Sequence, residues 1–268
     1  MLEKIQETAD YLKQRIPTSP KTGIILGTGL GNLVTQLTET TEIPYETIPN
    51  FPVSTVEGHS GKLIVGKLGG KDVLAMQGRF HYYEGYDMKQ VTFPVRVMYA
   101  LGIRTLLVSN ASGGMNPGFE IGDLMLITDH INLFPEHPLR GKNHKELGTR
   151  FPDMSEAYSK ELLAKAKEVA ARNSIKVVEG VYVGTTGPTF ETPAEYRYFR
   201  IIGGDAVGMS TVPEVIVANH AGMRVFGMSI ITDLGVPGKI VEVTHEEVQE
   251  IGNKVQPLMT KIMMEMVE

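Results

Sequence analysis

Six short segments of the chain carry groups able to hold an anion or move a proton. Gly78-Arg79-Phe80-His81 is the richest of them. Arginine offers a planar fork of donors that matches phosphate oxygens, and His81 adds a donor when it is protonated or holds the right tautomer. Glu84 follows three residues later, placed to orient His81, although the same spacing fits an Arg–Glu surface pair beside a satisfied histidine. Gly27-Thr28-Gly29-Leu30-Gly31 follows an apolar run. It reads either as a tight turn or as a loop whose backbone N–H groups hold one phosphate. Glu191 directly precedes Thr192, where a helix should begin, and Phe190 stands before it. A carboxylate there either favours the helix dipole or accepts N–H bonds from a heterocycle, with Phe190 as a packing wall. Asp233 closes an apolar run at 225–232, so it either caps the turn that follows or sets an acid in a crevice. Asn110-Ala111-Ser112-Gly113-Gly114 and Met209-Ser210 end two further apolar runs.

Several familiar patterns fail. The dinucleotide fingerprint G-x-G-x-x-G breaks at Asn32, and none of the Gly-Lys pairs is followed by Ser or Thr, so no Walker A loop exists. Histidines at 59, 81, 130, 137, 144, 220 and 245 form no H-E-x-x-H motif, and we expect no metal.

These segments need a scaffold that brings them together. Apolar runs at 23–26, 63–65, 73–76, 105–109, 124–128, 177–183, 205–209 and 225–232 read as strands, several of them apolar almost throughout, as strands covered on both faces are. Helical patterns interleave with them. Leu2, Ile5, Ala9, Leu12 and Ile16 form one face of a first helix that Pro17 and Pro20 stop. A second helix is expected over 156–172, and Thr192-Pro193-Ala194-Glu195 and Thr244-His245-Glu246-Glu247 are capping boxes. The alternation predicts an α/β fold, a single domain over 1–268 with a central mixed, largely parallel sheet flanked by helices. In such sheets ligands bind beyond the carboxyl ends of the strands, which is where five of the six segments fall, all but that of Glu191.

Composition narrows the class. At 268 residues, and about 150 per domain, one sizeable core is expected. Apolar residues make up 42% and charged residues 21%, an ordinary globular balance. Lys and Arg number 26 against 31 Asp and Glu, and the net charge of −5 argues against nucleic acid as a partner. The absence of cysteine removes disulfides, thiolate nucleophiles and Fe–S ligands, and suits a reducing cytoplasm. No run approaches the ~18 apolar residues of a membrane span, and Glu3, Glu7 and Asp10 break any N-terminal signal peptide.

Six longer stretches, taken in order, resemble one family. They are Ile48-Pro49-Asn50-Phe51-Pro52, the segment from Gly78 to Gly85, Thr92-Phe93-Pro94-Val95-Arg96, the segment from Ser109 to Gly114, Gly187-Pro188-Thr189-Phe190-Glu191-Thr192, and the segment from Gly208 to Val215. The chain, from Gly23 to the helix opened by Thr244, is similar to the trimeric class of purine nucleoside phosphorylases. The resemblance implies the nucleoside phosphorylase fold and reversible phosphorolysis of purine (deoxy)ribonucleosides to free base and (deoxy)ribose 1-phosphate. Inorganic phosphate would be a co-substrate, with no cofactor.

The resemblance also implies roles. Phosphate would be held by Thr28, where the family usually has Ser, with His59, Arg79, His81, Ser210 and the backbone at Ala111. Tyr83, Met209 and His245 would face the ribose, and Phe151 would be lent to a neighbouring subunit's ribose pocket, hence a homotrimer. Ala111, Ser112, Phe190, Glu191, Val207, Thr232 and Asp233 would line the base, with His81, Glu191 and Asp233 as the catalytic groups. One departure matters. Members specific for 6-oxopurines carry Asn at the place of Asp233; an ionised Asp, which only accepts, suits the 6-amino group of adenine instead, unless it is protonated to donate to O6 or N7. Glu191 still suits the N1–H of hypoxanthine or guanine, so inosine and guanosine are expected as preferred substrates, with room for adenosine. A methylthioadenosine phosphorylase of the same fold, a non-catalytic purine-binding module and a dinucleotide-binding oxidoreductase are the rival readings.

Overall fold

The computed structural model describes residues 1–28, 30–53, 55 and 61–267. Among them run nine strands: β1 (Thr22–Leu26), β2 (Thr38–Pro44), β3 (Lys62–Leu68), β4 (Lys71–Gln77), β5 (Thr105–Gly114), β6 (Leu124–Asn132), β7 (Val177–Gly184), β8 (Ala206–Gly208) and β9 (Arg224–Leu234). The helices are α1 (Leu2–Lys13), α2 (Met88–Val91), α3 (Phe93–Ala100), α4 (Lys160–Arg172), α5 (Pro193–Ile201), α6 (Val212–His220) and α7 (His245–Met266).

All nine strands share one sheet in the order β2-β3-β4-β1-β5-β8-β7-β6-β9, and β9 also returns to pair with β5. Strands β5, β8, β7, β6 and β9 thus close into a ring, and β2, β3, β4 and β1 extend from it as a wing. Five pairings are parallel: β1 with β4 and β5, β5 with β9, and β7 with β6 and β8. The other four are antiparallel, so the sheet is mixed as expected. Neither the closure nor β2 was legible in the sequence. Within β2, Thr38-Glu39-Thr40-Thr41-Glu42-Ile43-Pro44, only Ile43 is buried, which leaves no apolar alternation to read.

Burial explains the elements that were. Every residue of β1 is buried, as befits a strand flanked on both sides and covered on both faces. Helix α1 buries Ile5, Ala9 and Leu12 against α3. Both threonine boxes form: Thr192 and Thr244 accept from the backbone N–H of Glu195 and Glu247, whose carboxylates accept in return from the threonine N–H. Helix α4 begins later than the expected 156, because Ser159 is extended and its hydroxyl caps Leu162 N–H.

Strand β5 holds the architecture together. Its first four residues pair with β1, its whole length pairs with β9, and its final Gly113-Gly114 pairs with β8. The carboxyl ends of β1, β4, β5 and β9, which run parallel, consequently open on one side, and the short antiparallel β8 leads into Met209 and Ser210 at the same cleft. At the β1 exit, a Cβ on Gly27 would stand 2.8 Å from the Ser109 carbonyl oxygen and 2.9 Å from the Asn110 Cα, both backbone atoms that cannot swing aside. Gly27→Ala should therefore force the two strands apart and lower stability by about 1–3 kcal/mol. Urea unfolding checks this, and an unchanged midpoint would mean that the strands have slack.

Candidate active site

The strand ends border a cleft of about 470 Å³, within the range of small-molecule sites. Thr28, Arg79, His81, Ala111 and Ser210 line it; so do Tyr83, Met209 and His245; so do Ser112, Phe190, Glu191, Val207, Thr232 and Asp233. Of the site residues that the resemblance implied, two are not among them. His59 lies outside the described residues. Phe151 is 85% exposed and borders a separate recess with His130, Asn132 and Met154.

At one end the cleft is built to meet an anion. Arg79 and His81 leave the end of β4 just past Gly78, and Arg79 is 1% exposed. Its partner is Glu214 of α6, not Glu84, which corrects the surface-pair alternative: Nε donates to Oε1 at 3.1 Å and Nη2 to Oε2 at 2.8 Å. Glu84 instead serves His81, as the spacing suggested. Its Oε1 accepts from the His81 backbone N–H at 2.7 Å and lies 3.1 Å from Nδ1, while Oε2 accepts from Thr55 N–H and Oγ1. Burial pushes the Glu84 carboxyl up, but these hydrogen bonds outweigh it and hold the group down to about 2. An ionised carboxylate only accepts, so His81 carries its proton on Nδ1. Burial also lowers the His81 pKa, against the pull of Glu84, which favours the neutral ring at pH 7. Tyr83 stacks on that ring, centroids 4.7 Å apart, and burial pushes its hydroxyl up to about 12.

The opposite end gathers two carboxyls. In β9 the register with β5 passes from Ile231 opposite Ser112 to Asp233 opposite Gly113, leaving Thr232 as the extra residue of a bulge. In a regular strand neighbours face opposite sides; the bulge lets Thr232 and Asp233 both border the cleft. The Asp233 carboxyl takes hydrogen bonds from Thr232 at 3.0 Å and from the Tyr196 hydroxyl of α5, also 3.0 Å. Gly113 is needed here, since a Cβ on it would lie 2.8 Å from Asp233 Oδ2. Glu191 waits just before α5. Burial first, then the charges of Asp233 and Glu195, push its carboxyl up to about 7, against a hydrogen bond from its own backbone N–H. Burial raises Asp233 as well, although Tyr196 and Thr232 oppose it. Two carboxyls in a half-dry pocket resist joint ionisation.

Sequence reasoning missed Glu214, Tyr196 and Thr55. Glu214 did leave a signal: it is a lone charge inside Val212-Pro213-Glu214-Val215-Ile216-Val217-Ala218, a helix apolar on every face, and a buried charge needs a partner. Tyr196 and Thr55 left none, because their partners are chosen by chain packing. Among the described residues, no group of three or more His, Asp or Glu is arranged to hold a metal ion.

Comparison with known proteins adds a second line. The model of the Phosphorylase superfamily matches residues 21–268. The chain is 58% identical to purine nucleoside phosphorylase 1 of Geobacillus stearothermophilus, over 94% of this chain and 92% of that one. It superposes on the Schistosoma mansoni purine nucleoside phosphorylase in complex with adenosine with a TM-score of 0.94 at 42% identity, covering 99% and 96% of the two chains. The Schistosoma mansoni enzyme in complex with inosine gives a TM-score of 0.93 at 41% identity, covering 99% and 95%.

The raised Glu191 pKa has a consequence for the free protein. Protonated Glu191 is favoured in the folded state, so its stabilising effect is full below the unfolded value near 4.5 and is lost as pH rises through about 7. Glu191→Gln should flatten the fall in stability across that window, as followed by thermal melts at fixed ionic strength. An identical pH profile for the two proteins would show that the carboxyl ionises freely.

Proposed function

The chain belongs to the Phosphorylase superfamily, and we propose that it is a purine nucleoside phosphorylase. In this reading it splits purine ribonucleosides and deoxyribonucleosides with inorganic phosphate, giving free purine and (deoxy)ribose 1-phosphate. One observation carries it: an anion-binding end and a two-carboxyl end face each other across a single cleft. Phosphate is the co-substrate, and no other cofactor enters.

The chemistry follows from that polarity. Breaking an N-glycosidic bond builds positive charge on the sugar and negative charge on the leaving purine. Phosphate held by Arg79, His81, Thr28, Ser210 and the Ala111 backbone stabilises the first and attacks C1′. With Nδ1 turned to Glu84, His81 meets a phosphate oxygen through Nε2, and the neutral ring accepts a hydrogen bond from a protonated oxygen there. Tyr83, Met209 and His245 face the sugar, with His245 towards the 5′-hydroxyl. At the far end the proton that the free pocket keeps on Glu191 passes, with base bound, to Asp233, so that ionised Glu191 accepts from the purine N1–H and Asp233 donates to O6 or N7. No covalent enzyme intermediate is needed, because positioning and electrostatic preorganisation supply the rate.

The same two carboxyls set the choice of base. Protonated Asp233 fits the 6-oxo group of inosine and guanosine; ionised, it fits the 6-amino group of adenosine. Asp233 also suits a methylthioadenosine phosphorylase, but His245, with the Gln249 amide 2.9 Å from its Nε2, gives the cleft a polar wall better matched to a hydroxyl than to a methylthio group. Exposed Phe151 supports a homotrimer in which each chain lends this ring to its neighbour's ribose pocket. Among the described residues no helix is long and apolar enough to cross a membrane, and the cysteine-free chain fits work in the cytoplasm.

Inosine, guanosine, adenosine and methylthioadenosine, each incubated with and without phosphate, test the reaction by the free base released. Phosphate-dependent release from inosine and guanosine is expected; release from methylthioadenosine alone would hand the site to the rival enzyme, and no release would leave a binding module. The adenosine-to-inosine ratio should climb as pH rises and Asp233 gives up its proton. Asp233→Asn, which restores a donor for O6, should lower that ratio by about tenfold or more.

A further inference from the structure

Glu214 does not border the cleft, yet it holds the residue that does. Its carboxylate meets Arg79 fork to fork, Nε to Oε1 and Nη2 to Oε2, and both side chains are almost wholly buried, at 1% and 3% exposed. The Ser109 carbonyl accepts from Nη1 at 2.6 Å on the remaining side. Two parallel bonds and a third from a different nitrogen fix the plane of a guanidinium, not merely its charge.

Glu214 is itself held in place from several directions. It lies in the first turn of α6, directly after Ser210 and Thr211. Thr211 has a positive φ of 70°, a conformation costly for a β-branched residue. The Asn110 amide stabilises it by donating to Thr211 Oγ1 at 2.8 Å, and Asn110 Oδ1 accepts in turn from Ser229 at 2.5 Å. Ser229 Oγ stands 2.6 Å from Ser112 Oγ. A buried polar chain thus runs from β9 through β5 to the α6 entry. There the same turn presents Ser210 to the cleft and Glu214 to Arg79.

We propose that Glu214 is the positioning residue of the phosphate end: it aims the Arg79 guanidinium at the phosphate and locks that aim to the Ser210 turn, so that the two phosphate contacts keep a fixed spacing. The proposal rests on the phosphorylase reading above. Glutamine at 214 keeps the shape but cannot accept two bonds, because its amide nitrogen faces one arm of the guanidinium with another donor. Aspartate keeps the charge on a shorter stem and reaches one arm.

The test is steady-state phosphorolysis of inosine by full-length wild type, Glu214→Gln and Glu214→Asp, varying phosphate and inosine in turn, with hypoxanthine binding measured by calorimetry. If the wild type releases base without needing phosphate, the phosphorylase reading fails before the variants are compared. Given a phosphate-dependent wild type, Glu214→Gln should lower kcat/KM for phosphate by about a hundredfold, the scale of a small misplacement of a reacting group. Its KM for inosine and its hypoxanthine affinity should stay those of the wild type, and Glu214→Asp should fall between. An equal loss on both substrates would reduce Glu214 to a structural residue and overturn the proposal. A lower phosphate KM would overturn it too, showing that the carboxylate only offsets charge. Should the glutamine variant fail to fold, Glu214→Asp must show the same split between phosphate and inosine, and its absence there sinks the idea.

Discussion

A guanidinium removed from water must be matched by a counter-charge or it will not stay inside. Arg79 is so removed, and Glu214 meets it. That requirement ties the exit of β4 to the entry of α6, two elements separated by 135 residues of chain. The Arg79 end of the cleft follows from their meeting. Once Arg79 is fixed, His81 comes with it two residues on, and Glu84 selects the proton position on the ring. The arginine also accepts help from β5 through the Ser109 carbonyl, so the ion pair is braced by the central strand.

The opposite end answers to a different electrostatic demand. Glu191 and Asp233 lie where burial resists charge, and the charge on Asp233 raises the cost of ionising Glu191. One end of the cleft therefore holds a fixed guanidinium and the other a group that takes or gives up a proton. The distance between Arg79 and Asp233 is set by the sheet, because β1 ties the β4 exit to β5 and β5 pairs with the β9 strand that carries Asp233. The backbone contributes directly as well. A bulge of one residue in β9 brings Asp233 to the cleft, and a glycine at 113 makes room for its carboxylate.

Much of this was legible in the sequence. The apolar runs 23–26, 105–109 and 225–232 had to be strands, because so many consecutive apolar side chains need cover on both faces. The Thr192 and Thr244 boxes announced two helix starts, since capping is local and its partners lie three residues apart. Strand ends rich in Gly, Arg, His and Asp marked the side on which a ligand would sit, and the His81–Glu84 pair could be read from spacing within one turn of chain. The long ordered stretches of family resemblance pointed to purine phosphorolysis.

Tertiary structure decided what depends on distant partners. Edge strand β2 has no apolar rhythm and exists because β3 offers it hydrogen bonds. Closure of β5 and β9 into a ring, the bulge at Thr232, and the choice of Glu214 over Glu84 as the partner of Arg79 all arise from packing between segments far apart in sequence. Tyr196 belongs to the same group: nothing in its neighbourhood along the chain foretells a hydrogen bond to Asp233. Local preferences such as capping, turn geometry and apolar periodicity are written in short windows and can be read there. Which buried charge faces which is settled only when the core excludes water and every polar group must find a partner among whatever the fold brings within reach.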